Sequence, residues 1–182
     1  MNYLDRITAN RIQSGNVKAF ETLINTFKSR IFSYCLRMLN DYHLAEDMSQ
    51  EIFIKVYKNI NHYDGKKASL STWIYTIAHN TCLNHLRDWH NQPAPTRNSE
   101  YYENCFIAKD QYSLLNEKIS LLRALNTLSP DERDIVIMKD YLDLKYSEIG
   151  QITSLPTGTV KSRLHGIRKK LRNILSEGEP NE

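Results

Sequence analysis

Residues 146–175 read YSEIGQITSLPTGTVKSRLHGIRKKLRNIL, two helical stretches separated by a short turn. In the first, Ile149 and Ile152 point inward and Ser147 is the expected N-cap. Residues 154–156, Ser-Leu-Pro, form the turn, and Pro156 suits the first position of the helix that follows. That helix carries Val160, Leu164, Ile167, Leu171 and Ile174. Steps of four and three residues place all five on one stripe of an α-helix. The other side holds Lys161, Arg163, His165, Arg168, Lys169, Lys170 and Arg172, and no Asp or Glu occurs between Ile149 and Ser176. A solvated helix face normally mixes both signs, whereas a one-sign cationic face is the footprint of phosphate binding. Short helix, tight turn and basic amphipathic helix together predict a helix-turn-helix whose second helix enters a major groove.

The rest of the chain is compatible with that reading. At 182 residues and 41% hydrophobic content it has room for one ordinary domain or two small ones. The net charge of +3 is modest, so a nucleic-acid role must come from local patches. The start of the sequence lacks an apolar signal core and no run approaches a membrane span, which predicts a cytoplasmic protein without membrane insertion. Cys35, Cys82 and Cys105 are widely spaced and odd in number, fitting neither a disulfide framework nor a CxxC site. The string His79-x-x-Cys82-x-x-His85 resembles a ligand set, but on a helix His85 points about 120° away from His79. No metal and no cofactor is expected.

Residues 1–90 show helical periodicity and no sustained alternation. Phe20, Leu23, Ile24, Phe27, Ile31, Cys35 and Met38 mark one long helix, ended at Asn40-Asp41. Ala45, Met48, Ile52, Val56 and Ile60 mark a second, and residues 73–89 a third, after a loop over 61–71 with Asp64-Gly65 as its turn signal. From Asn91 the texture changes: QPAPTRNS (92–99) has two prolines and no apolar spacing, so 91–112 is expected to be a flexible linker. Periodicity resumes with Leu114, Leu115, Ile119, Leu122 and Leu125. Ser129 with Pro130, Asp131 and Glu132 then reads as a capped helix start, leading into a core face of Ile135, Val136, Met138 and Tyr141. The expected fold is all-α: two small helical domains, 1–90 and 113–176, with residues 177–182 as an acidic tail.

These pieces resemble the bacterial RNA polymerase sigma factors of the extracytoplasmic-function type, over nearly the whole chain. LSPDER (128–133), Ile149-Gly150 and LPTGTVKSRLH (155–165) look like the family's fourth region, which binds the −35 promoter element. AEDMSQEIF (45–53) looks like the polymerase-binding helix of its second region, and STWIYTIAHN (71–80) like its −10 strand-opening segment. TVKSRL alone is shared by other regulators; the paired motifs in this order are specific.

The resemblance implies a non-catalytic initiation factor that lends promoter specificity to core RNA polymerase, with no active site of its own. Its −35 contacts would be Thr157, Thr159, Lys161, Ser162, Arg163, His165, Arg168 and Lys169. Gly158, Ser162 and Gly166 form a column of small residues opposite the apolar stripe, and Gly166 stands where the family commonly has a basic residue. Its −10 contacts would be Lys66, Lys67, Trp73, His79, Asn80, Asn84 and Arg87. There aromatic rings interleave with cations, as suits unpaired bases of the non-template strand. The polymerase would dock on the outer face of the 45–60 helix, at Asp47, Gln50, Glu51, Ile54 and Lys58. An anti-sigma factor is the further partner the resemblance implies. A receiver-type regulator would need alternating strands and helices, which residues 1–90 lack. A helical adaptor that binds only protein would have no use for the acid-free basic helix.

Overall fold

The computed structural model describes residues 3–90 and 121–177, and among them every regular element is helical. Helix α1 spans Tyr3–Gln13, α2 Val17–Leu39, α3 Tyr42–Asn59 and α4 Leu70–His90, with a single 3-10 turn at Ile60–His62. After a helical stretch at 121–126 come α5 (Pro130–Val136), a π-helical turn (Ile137–Tyr141), α6 (Tyr146–Thr153) and α7 (Thr157–Glu177). The 91–112 linker and the tail beyond Glu177 lie outside the described residues, as do Leu114, Leu115 and Ile119. Glu177 itself is the last residue of α7.

Local chemistry sets the boundaries. Asn16 caps α2 by accepting the Ala19 N–H at 3.0 Å. Asn40 closes that helix with φ 53°, and Asp41 opens α3 by accepting the Leu44 N–H at 2.9 Å. Asn tolerates the left-handed conformation and Asp is among the best N-caps, so two adjacent residues reverse the chain and lay α3 along α2. In the 61–71 loop, the Asp64 side chain accepts the Lys66 N–H, and the Tyr63 hydroxyl donates to the Ala68 carbonyl. Ser69 then caps α4 through the Thr72 N–H. The loop is therefore already helical at its final residues, 70–71. Ser129 is the expected cap of α5, and with Glu132 it forms a capping box.

Three expectations shift. Ser147 lies inside α6, not at its cap. The cap position is Lys145, whose N–H donates to the Glu148 carboxylate at 2.8 Å, because Glu148 can reach back one turn while Ser147 is already helical. Pro156 precedes the first residue of α7, and its carbonyl accepts the Val160 N–H at 3.1 Å. Tyr141 is not core: it is 42% exposed, since the π-helical turn that ends on it changes the helical phase. Its ring instead carries the Arg37 guanidinium 3.5 Å from its centroid.

The buried residues form one continuous cluster. Ile31, Met38, Ile52, Val56, Ile74, Ala78 and Cys82 fill the space between α2, α3 and α4; Ile135, Ile149, Val160, Leu164 and Ile167 fill that between α5, α6 and α7. Helix α4 packs against α6 and α5, and α2 against α5, so the two helical groups are docked on one another.

Candidate nucleic-acid interface

Helix α7 is built as its periodicity demands. Val160, Leu164, Ile167 and Leu171 are buried and Ile174 packs at the edge. The turn before it depends on Gly150. A Cβ there would stand 2.8 Å from the Leu155 carbonyl oxygen, while the Gly150 carbonyl accepts the Leu155 N–H at 3.0 Å. Ser154 ends α6 with φ 58°, its N–H also bonded to the Gly150 carbonyl. The two helices thus meet over a bare backbone, which only glycine supplies without displacement.

Thr157, Lys161, Ser162, Arg163, His165, Arg168 and Lys169 are exposed on α7, and Thr159 is half-buried. At ~100° per residue, Ser162, His165 and Lys169 lie furthest from the buried stripe. The small-residue column is open on the outside: nothing lies within 4 Å of a Cβ at Gly158 or Gly166. The cations divide into two sets. Arg168 is bound by both oxygens of Asp140, and Lys170 by Glu132. The bond to Asp140 raises the Arg168 pKa further, and the bond from Lys170 holds Glu132 below the usual carboxylate range. Lys161 lies over the Tyr146 ring, 5.5 Å from its centroid. Arg163, His165, Lys169 and Arg172 make no ion pair among the described residues. The acids of α5 and its π-helical turn therefore occupy Arg168 and Lys170, which flank the stripe, and leave the outermost cations, His165, Lys169 and Arg172, open.

On α4, Trp73, Asn80, Asn84 and Arg87 fall within roughly 60° of one another around the helix. Asn80, Asn84 and Arg87 are exposed. Trp73 is half-buried with its ring 5.4 Å from that of Tyr63, so one part of the indole packs and the remainder is open to a stacking base. Lys66 and Lys67 are exposed in the loop that leads to this helix. His79 stands apart from this group, about 100° round from Asn80. Its Nδ1–H donates to Asp134 Oδ2 at 2.5 Å, and Asp134 belongs to α5.

Asp134 went unnoticed in the sequence as one acid among several in a helix's first turns, yet it is 0% exposed. Its other oxygen accepts the Tyr34 hydroxyl at 2.5 Å. A carboxylate only accepts, so both partners donate. Burial first, and the adjacent Asp134 charge second, raise the Tyr34 phenol well above its ordinary range. Neighbouring contacts also cross between the two helical groups. Arg133 Nη1 donates to the Met38 carbonyl at 2.8 Å, at the C-terminal end of α2 where carbonyls lack partners. The Thr72 hydroxyl donates to Glu148 at 3.4 Å. The signal available in the sequence was Tyr34, an aromatic residue beside the apolar stripe of α2.

The outer face of α3 presents Asp47, Gln50 and Lys58, with Glu51 half-buried and paired to Lys55 at 2.7 Å. Ile54 is 53% exposed, and Tyr57, outside the apolar stripe of α3, is 51% exposed beside it with its ring against Phe20. Cys35 and Cys82 face each other inside the N-terminal core, 3.9 Å apart, and their hydrogen bond, with burial, pushes the Cys82 thiol up.

Two family profiles match the chain: Sigma-70 region 2 over residues 23–91 and Sigma-70, region 4 over residues 118–171. The ECF RNA polymerase sigma factor SigW of Bacillus subtilis (strain 168) is 32% identical over 92% of this chain and 94% of its own. The RNA polymerase sigma-H factor of Pseudomonas aeruginosa is 28% identical over 94% and 93%. Among solved structures, the sigma factor RpoE of Bartonella quintana, in complex with the anti-sigma factor NepR, has the same fold, with a TM-score of 0.71 at 22% identity over 89% of this chain and 99% of that one. Helix order, the helix-turn-helix geometry and these matches agree: the chain belongs to the extracytoplasmic-function group of RNA polymerase sigma factors.

Proposed function

We propose that this sigma factor binds promoter DNA through two separate surfaces, each assigned to residues of this chain. The −35 duplex is read by α7, with Ser162, His165 and Lys169 nearest the groove, Lys161 and the first-turn Thr157 and Thr159 alongside, and Arg163 and Arg168 at the edges. The unpaired −10 strand runs over Lys66, Lys67, Trp73, Asn80, Asn84 and Arg87. Core polymerase docks on α3 through Asp47, Gln50, Glu51, Ile54 and Lys58. The functional units are 1–90 and 113–176, tethered by 91–112, and the protein is a non-catalytic factor of the cytoplasm. The observation that carries the DNA reading is the outer face of α7: exposed cations, open backbone at Gly158 and Gly166, and no acid among them. An apolar patch at Ile54 and Tyr57 within a polar face supports the docking surface. An anti-sigma factor is a further proposed partner, by analogy with the complex of the Bartonella protein.

Pull-down of core polymerase with the full chain, followed by sequencing of the promoters the complex retains, tests this reading. A shared pair of elements spaced by about two duplex turns is the expected result. Tight sequence-specific binding by the free protein, without affinity for polymerase, would overturn it.

A further inference from the structure

We infer that Asp134 is an interdomain latch that holds the free protein closed, and that His79 exchanges this carboxylate for a DNA phosphate when the protein opens. The inference rests on the proposed reading of α4 as the strand-binding helix.

The junction between the two helical groups sets a group of polar contacts beside the continuous apolar cluster. Asp134 takes hydrogen bonds from Tyr34 of α2 and His79 of α4. Arg133 caps the end of α2, Arg37 lies on Tyr141, and Thr72 meets Glu148. Hydrogen bonds to a charged group are stronger than neutral ones, and the cost of a half-broken set is high because a buried carboxylate is left unpaired. Complete separation is different: each of these groups regains water. Such a junction favours two states, fully closed and fully open, over partial opening. In the closed state the two proposed DNA surfaces belong to one packed body, whereas promoter elements two turns apart lie roughly 70 Å from one another. Opening is therefore required before both can be engaged.

His79 adjoins the strand-binding face without sharing it. Closed, its Nδ1–H is aimed at Asp134 and its side chain is 12% exposed. Open, that N–H needs an acceptor beside Asn80, and a backbone phosphate presents the same anionic oxygen chemistry. Binding of the strand and docking of α5 thus compete for one donor.

The test uses the full chain, with small-angle X-ray scattering for compactness and fluorescence anisotropy on a randomised single-stranded oligonucleotide. Asp134→Ala should increase the radius of gyration, with a closed-to-open ratio lower by roughly tenfold or more, the scale of hydrogen bonds to a charged group. It should bind the oligonucleotide several-fold more tightly, because the competent fraction rises. Adding His79→Leu to Asp134→Ala should remove much of that gain while leaving the chain expanded. Tyr34→Phe with His79→Leu, which deletes both donors and leaves Asp134 intact, should also expand the protein and serves where Asp134→Ala loses helix content by circular dichroism. Helical variants as compact as the unaltered protein would overturn the latch. A gain indifferent to His79 would overturn the exchange. Expansion without strand binding by any variant, alone or with core polymerase, would overturn the exchange together with the strand reading of α4, and leave the latch standing.

Discussion

Gly150 and Gly166 look alike in the sequence, and their surroundings give them opposite roles. A methyl group at Gly150 must displace the Leu155 carbonyl, which stands at 2.8 Å. The hydrogen bonds that Ser154 and Leu155 make to the Gly150 carbonyl fix the same segment. Overpacking of this kind costs about 1–3 kcal/mol, more than the ~1 kcal/mol that alanine gains over glycine in a helix. Gly150→Ala should therefore lower the melting temperature and disturb the turn between α6 and α7. Gly166 meets nothing within 4 Å, so Gly166→Ala should stabilise the protein by about 1 kcal/mol. Thermal unfolding of both variants reads the two signs. A stabilising Gly150→Ala would show that the turn gives way more readily than its hydrogen bonds imply.

On the scale of an element, α7 presents more positive charge in its sequence than it has free in the structure. Asp140 and Glu132 engage Arg168 and Lys170, while Lys169 stands clear. Lys169→Ala should weaken binding to all duplexes and reduce the slope of log affinity against log salt by about 1. Arg168→Ala should change that slope less, because its charge is already partly balanced. Asp140→Ala should strengthen non-specific binding at low salt by freeing Arg168. Salt titrations of polymerase-bound protein on duplex DNA check all three. Equal slopes for Lys169→Ala and Arg168→Ala would mean that Arg168 leaves Asp140 on binding. On α4, His79 lies about 100° round from Asn80, and α5 packs over it through Asp134.

At the scale of the whole molecule, the proposed function asks the tether, residues 91–112, to reconcile a closed protein with two distant contacts. Residues 91–112 number 22 (112 − 91 + 1), and at ~3.3–3.6 Å each they span about 75 Å when fully extended, close to the separation of two duplex turns. Tethering would make the second contact intramolecular. Length should then matter more than identity. Deleting about ten linker residues should abolish initiation, and scrambling 93–104 should cost little. Transcription from a two-element promoter with both variants decides it: a scrambled linker as inactive as the shortened one would show that these residues make specific contacts.

The sequence by itself determined the helices, the break at Asn40-Asp41, the cap at Ser129, the buried stripe of α7 and the family, because these depend on residues within a few positions of one another. Apolar spacing reports which face of a helix is buried, and capping chemistry reports where the helix starts. What only the tertiary structure decided depends on groups distant in the chain. Asp134 meets Tyr34 and His79 across separations of 100 and 55 residues. The exposure of Tyr141 follows from a π-helical turn, and the division of α7's cations follows from where α5 and that turn place their acids. No periodicity marks such residues. An acid in a helix's first turns reads as solvated until another helix closes over it, and whether that happens is set by the docking of surfaces far apart in sequence.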